Sequence, residues 1–119
     1  MVRDKIETAF MTASQIGQID RLLPDERTTR LISEFYAVFS DTMRIRIISA
    51  LAISEMCVSD LAELLGAHQS TVSHQLSLLK RFDIVDYRRE GKMIVYFVSN
   101  VLVEDVMGLG IENIKNNWL

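Results

Sequence analysis

The sequence predicts a mainly α-helical chain carrying one small β-hairpin, in the order α-α-α-α-α-β-β-α. Three observations carry this. Apolar residues recur at helical spacing through most of the first 80 residues and again after Val101. Between these stretches, from Ile84, the period drops to two in β-branched and aromatic runs. Gly91 then sits where a tight hairpin turn needs positive φ.

In chain order, residues 4–17 place Ile6, Phe10, Ala13 and Gly17 at helical spacing, which predicts a first amphipathic helix. Pro24 followed by Asp25 and Glu26 opens a second, since proline suits the first turn and acids suit its positive dipole end. Its apolar face is Leu31, Phe35, Val38 and Phe39, widened by Ile32 and Tyr36. Ser40-Asp41 is an N-cap pair for a third helix, with Ile45, Ile48 and Ala52 on one face and Ile47 and Leu51 broadening it. Ser59 is the expected cap of a short helix, Asp60 to Leu65, closed by Gly66 in the left-handed conformation. The fifth helix is expected over 69–81, with Val72, Leu76 and Leu79 inward and Ser70, Thr71, Ser73, Gln75 and Ser77 outward. Strands over 84–88 and 93–98 are joined by Arg89-Glu90-Gly91-Lys92, and the last helix starts at about Val101.

At 119 residues, with one proline and no linker or repeat, the chain reads as a single domain over 1–119 with an N-terminal helical extension at about 1–23. No apolar run approaches a membrane span and the N-terminus lacks a signal-peptide pattern, so the expected compartment is cytoplasmic, with no membrane partner. The one cysteine, Cys57, excludes an intramolecular disulfide and fits a reducing compartment. A net charge of −3 argues against nucleic acid until its distribution is considered. Lys80, Arg81, Arg88, Arg89 and Lys92 fall in one short stretch, offset only in part by Asp83, Asp86 and Glu90. By charge alone, such a run is ordinarily a solvated face.

The residues on either side of Gly66 change that balance. Two short helices joined across a glycine, the second studded with small polar side chains, make a helix-turn-helix. Gln69, Ser70, Thr71, Ser73, His74 and Gln75 can all hydrogen-bond to base edges or phosphates, and none is bulky enough to hold the helix out of a major groove. The hairpin then presents Arg88, Arg89 and Lys92 to flanking backbone, a source of sequence-independent, salt-dependent affinity. The predicted fold is thus a winged helix-turn-helix, and the predicted partner is double-stranded DNA. A protein-protein module without sequence-specific DNA binding is the alternative, which an apolar or uncharged recognition helix would have favoured.

The stretch Val58-Ser59-Asp60-Leu61-Ala62-Glu63-Leu64-Leu65-Gly66, with Gln69-Ser70-Thr71-Val72-Ser73-His74-Gln75-Leu76, strongly resembles the ArsR/SmtB family of bacterial repressors. So does the wing, from Tyr87 through Lys92 to Val95-Tyr96. Phe39-Ser40-Asp41-Thr42-Met43-Arg44 looks like the family's helix entry without its usual proline after the aspartate. The resemblance covers roughly residues 30–115. It implies a homodimer joined by terminal helices, an operator that is an imperfect inverted repeat, and repression relieved by an inducer, often a metal ion.

The family's metal ligands are not matched. One family site uses a Cys-x-Cys pair before the turn; here Cys57 is present but Ser59 takes the second position. The other uses Asp and His on the last helix, where the matched positions are Asn100, Leu102, Asn113 and Asn116. Glu104, Asp105 and Glu112 have no histidine beside them, and His68 and His74 are not at helical pair spacing. No metal site and no cofactor are therefore expected, with Cys57 the one candidate ligand, and no motif identifies an inducer. No phosphate loop, nucleophile elbow or His/Glu pair is present, so no enzyme is expected. The seam Val103, Val106, Met107, Gly110 and Ile114 is too apolar for a terminal helix left in water and is the expected dimer interface, with Gly108 and Gly110 suggesting close approach or a kink.

Overall fold

The computed structural model describes residues 9–119. It contains α1 Ala13–Leu22, α2 Glu26–Ala37, a 3₁₀ turn Val38–Ser40, α3 Thr42–Ile53, α4 Val58–Leu65, α5 Gln69–Arg81, β1 Val85–Glu90, β2 Met93–Val98 and α6 Val101–Asn117. This is the element order read from the sequence. The chain forms two compact units, which meet in sequence between Ser33 and Glu34.

In the first unit α1 starts later than its apolar spacing suggested. The Thr12 hydroxyl accepts the Gln15 N–H at 3.1 Å, and the Gln15 side-chain carbonyl accepts the Thr12 N–H at 2.9 Å. This reciprocal capping box fixes the helix start at Ala13. Phe10 therefore precedes the helix and is exposed, while Ile6 lies outside the described residues. At the start of α2, Asp25 accepts the Thr28 N–H at 2.7 Å, and that bond holds its carboxyl below the usual range.

The second unit holds the core. Asp41 caps α3 by accepting the Arg44 N–H at 3.0 Å, as expected. The buried face of α3 is Ile47, Ile48, Ala50 and Leu51, whereas Ala52 is exposed and Ile45 half-buried. Ile47, Ile48 and Leu51 are thus where periodicity placed them, while Ala52 gives way to Ala50 because the helix carries apolar residues on several sides. The start of α4 also differs from expectation: its N-cap is Cys57, and Ser59 lies exposed within the first turn. Met56, one residue earlier, exchanges backbone bonds with Tyr96 at 3.2 and 2.8 Å, so the chain is strand-like up to that point and turns helical directly after it.

Two left-handed residues close helices here. Gly66, at φ 62°, lets its own N–H reach the Glu63 carbonyl and the Ala67 N–H reach Ala62 at 3.0 Å, the paired bonds of a Schellman close. Asp83, at φ 58°, does the same after α5, where Ile84 N–H donates to the Leu79 carbonyl at 3.0 Å. Val38, Ile47, Ile48, Leu61, Val72, Leu76, Leu79, Ile84, Val85 and Val103 belong to one contiguous cluster, drawn from the 3₁₀ turn, α3 to α6 and the hairpin. Each fully buried aliphatic side chain of this kind contributes about 1.5–3 kcal/mol. Among the described residues no polar side chain is buried, and no helix is long and apolar enough to cross a membrane.

Candidate nucleic-acid interface

Helix α5 is amphipathic in the way a groove-reading helix must be. Val72, Leu76 and Leu79 are fully buried and fix one face on the core. Gln69, Ser70, Thr71, Ser73, His74 and Ser77 are exposed on the remainder. No side chain caps the N-terminus of α5, whose cap residue is His68. Gln75, expected to face DNA, is half-buried instead, and its side-chain carbonyl accepts from Arg44 Nη1 at 3.2 Å. The same guanidinium donates through Nε to the Val38 carbonyl at 2.7 Å. Arg44 thereby ties the recognition helix to the 3₁₀ turn, a role its sequence position gave no sign of.

The wing is a two-stranded antiparallel hairpin pairing Val85 with Val98 through Glu90 with Met93. Its two-residue loop is Gly91-Lys92, with Gly91 at φ 63°. Arg89 and Lys92 are exposed near the tip, and among the described residues neither has a carboxylate at ion-pair distance. Arg88 differs from both. Its Nη2 lies 2.7 Å from Glu55 and 3.0 Å from Glu90, and its Cζ is 5.9 Å from the centre of the Phe97 ring. Hydrogen bonds to Glu55, and then to Glu90, hold the guanidinium above its ordinary pKa. At the base of the hairpin Lys80 pairs with Asp86 at 3.5 Å and lies over the Tyr87 ring at 5.3 Å.

Of the residues expected at a dimer interface, Val103 is buried in the chain's own core and Met107 packs partly against it. Val106, Gly110 and Ile114 are exposed, and with Ile45 and Ile111 they line an apolar hollow of about 410 Å³ between α3 and α6. Gly108 and Gly110 have open space where a side chain would project, with nothing among the described residues within 4 Å of it.

At the two family metal positions several side chains are engaged with other partners. Cys57 Sγ donates to Asp60 Oδ2 at 3.1 Å, which offers a soft ligand and one carboxylate, and Ser59 adds only a hydroxyl. On α6 the Asn100 side chain caps the helix by accepting the Leu102 N–H at 3.1 Å. The Asn113 side-chain carbonyl is taken by the Asn117 amide at 2.9 Å. Among the described residues of one chain, no three His, Cys, Asp or Glu side chains gather.

The family described as "Bacterial regulatory protein, arsR family" matches residues 41–87, from the cap of α3 into β1. The cadmium resistance transcriptional regulatory protein CadC of Listeria innocua is 37% identical over 92 residues, 76% of either chain. The chain belongs to the ArsR family. This ArsR-family chain is also 35% identical to the transcriptional repressor SmtB homolog of Synechocystis over 86 residues, 72% of this chain and 65% of that one. Among solved structures, apo-NmtR superposes with a TM-score of 0.70 at 28% identity, covering 82% of each chain. The AntR antimony-specific transcriptional repressor superposes at 0.65 and 25% identity, over 98% of this chain and 96% of that one. The ArsR-family chain is a winged helix-turn-helix, DNA-binding transcriptional regulator, as the resemblance of its α4–α5 segment implied.

Proposed function

We propose that this regulator is a cytoplasmic homodimeric repressor that reads an imperfect inverted repeat with α5 and is released by an inducer. The observation that carries the reading is the two-faced α5: three fully buried aliphatic residues behind, and an unbroken polar surface in front. Gln69, Ser70, Thr71, Ser73 and His74 face the groove, with Ser73 and His74 reading bases. The uncapped N–H groups at the start of α5 suit a phosphate, and Arg89 and Lys92 suit the backbone flanking the groove. The two-fold repeat follows from a dimer joined through α6, where Val106, Gly110 and Ile114 remain uncovered in one chain. Open space at Gly108 and Gly110 leaves room for a second helix.

The inducer in this reading is not a metal ion held at either family position. Relatives named for cadmium resistance invite the metal reading, but a regulatory site needs at least three good protein donors and the matched residues offer one thiol and amides. The test of the reading is titration of duplex DNA from directly upstream of the protein's own gene, against random-sequence duplex, at two salt concentrations. Ser73→Ala or His74→Ala is expected to cost about 1–3 kcal/mol on the operator and to relax preference at one position. Equal affinity for operator and random duplex at both salts would refute it.

A further inference from the structure

The three cations of the wing are equivalent in sequence but not in surroundings. Arg89 and Lys92 stand free of carboxylates among the described residues, whereas Arg88 is held by two. The cause lies in strand register. Asp86 pairs with Phe97, and Arg88, two residues further along β1, shares that face. Met56 bridges Tyr96 on the opposite side of β2, which brings its neighbour Glu55 alongside Phe97. The Arg88 side chain therefore runs from the outer strand over the Phe97 ring to the α3–α4 connection, with its guanidinium at Glu55. Glu90, again two residues along the same face, closes the other side through Nε and Nη2, both at 3.0 Å.

Two carboxylates around one guanidinium leave this group net negative, so it repels an arriving phosphate rather than drawing it in. The connection it grips leads directly into α4 and the turn before α5. We propose that Arg88 is a positioning residue: it braces β1 across β2 against the entrance to the helix-turn-helix, and so sets where Arg89 and Lys92 meet the DNA backbone. It rests on the wing contacting DNA as proposed above, and replaces only the expectation that Arg88 itself holds a phosphate.

The test is the salt dependence of duplex binding for Arg88→Ala, Arg89→Ala, Lys92→Ala, Glu55→Gln and the Arg88→Ala/Glu55→Gln double variant. It is run where circular dichroism shows every variant folded. Arg89→Ala is expected to lower the slope of log affinity against log salt by about one, the mark of a lost phosphate contact. Arg88→Ala leaves that slope unchanged and weakens binding about two- to fivefold, the range an exposed ion pair can transmit. Glu55→Gln weakens binding in the same direction, and the double variant is no weaker than Arg88→Ala alone, because both changes cut the same brace. That coupling in DNA affinity is a readout that loss of stability alone does not produce.

A slope lowered by Arg88→Ala as much as by Arg89→Ala overturns the proposal. So does tighter binding by Glu55→Gln, since it means Arg88 was a phosphate ligand held back by its carboxylate. Should Arg88→Ala not fold, the Glu55→Gln result decides alone. If Arg89→Ala and Lys92→Ala also leave the slope unchanged, the wing does not contact DNA, and the broader reading falls together with this one.

Discussion

Replacing Gly66 with alanine isolates the contribution of one backbone angle to the helix-turn-helix. Gly66 stands at φ 62° and a side chain built on it meets nothing among the described residues within 4 Å, so collision with them adds nothing to the cost. What remains is the penalty of the left-handed region for a residue with a Cβ, about 1–2 kcal/mol. Against it stands the reduced freedom of the unfolded chain, worth about 0.4–1 kcal/mol in the opposite sense. The expected net loss is about 1 kcal/mol, which lowers the unfolding midpoint by about 4–8 °C for a unit of this size. Thermal unfolding followed by circular dichroism, at one fixed protein concentration, measures it. Gly66→Asn is expected to lose less, because asparagine tolerates this conformation better. Affinity for DNA well below the midpoint should change little, since α5 is anchored by Val72, Leu76 and Leu79 rather than by the turn. A loss above about 3 kcal/mol for alanine, or a greater loss for asparagine than for alanine, would show that space rather than backbone conformation limits this position.

Three further outcomes are expected. Arg44→Ala removes a charged donor from the Val38 carbonyl and from Gln75, and should destabilise the protein by about 1–3 kcal/mol in urea unfolding, with Gln75→Ala losing less. Gly110→Ala should favour α6 by about 1 kcal/mol through helix propensity yet weaken self-association, and sedimentation at several concentrations separates the two effects; unchanged association would remove Gly110 from the interface. Calorimetric titration with Zn²⁺, Ni²⁺ and Cd²⁺ should find no submicromolar site, and such a site abolished by Cys57→Ser would restore a metal-sensing role.

Helix α5 was legible to the residue, because its apolar positions have one period and only one side of it is buried. The hairpin was nearly as clear: β-branched runs flank a glycine, and β1 proved to begin at Val85 and to extend through Glu90. Helix α3 is located correctly and Ile47, Ile48 and Leu51 of its expected face are buried, but Ala50 rather than Ala52 completes that face and Ile45 is half-buried, since isoleucines and alanines on several sides leave little for periodicity to select. The start of α4 was misplaced because a serine is a recognisable cap, whereas the Met56–Tyr96 pairing that sets the start spans the chain and has no local sequence mark. The same holds at the interface. Exposure of Ser70, Thr71, Ser73 and His74 follows from helical spacing alone, while the engagement of Gln75 by Arg44 and of Arg88 by Glu55 depends on partners more than thirty residues away.

The isolated Met56–Tyr96 bridge also bears on how the wing behaves at high concentration. A hairpin has two open edges, each a row of unpaired backbone groups that can recruit a strand from another molecule. On the β2 side, Met56 already occupies the backbone groups of Tyr96, so a foreign strand cannot pair through the middle of that edge without displacing it. Among the described residues the β1 side has no such cover, but it carries Asp86, Arg88, Arg89 and Glu90, charges of both signs. A second hairpin approaching it would have to bring like charges together or strip these groups of water. Both edges are thereby protected against sheet extension, one by backbone pairing and the other by charge. Variants that neutralise several wing residues at once lose the second protection, so their solubility should fall before their fold does.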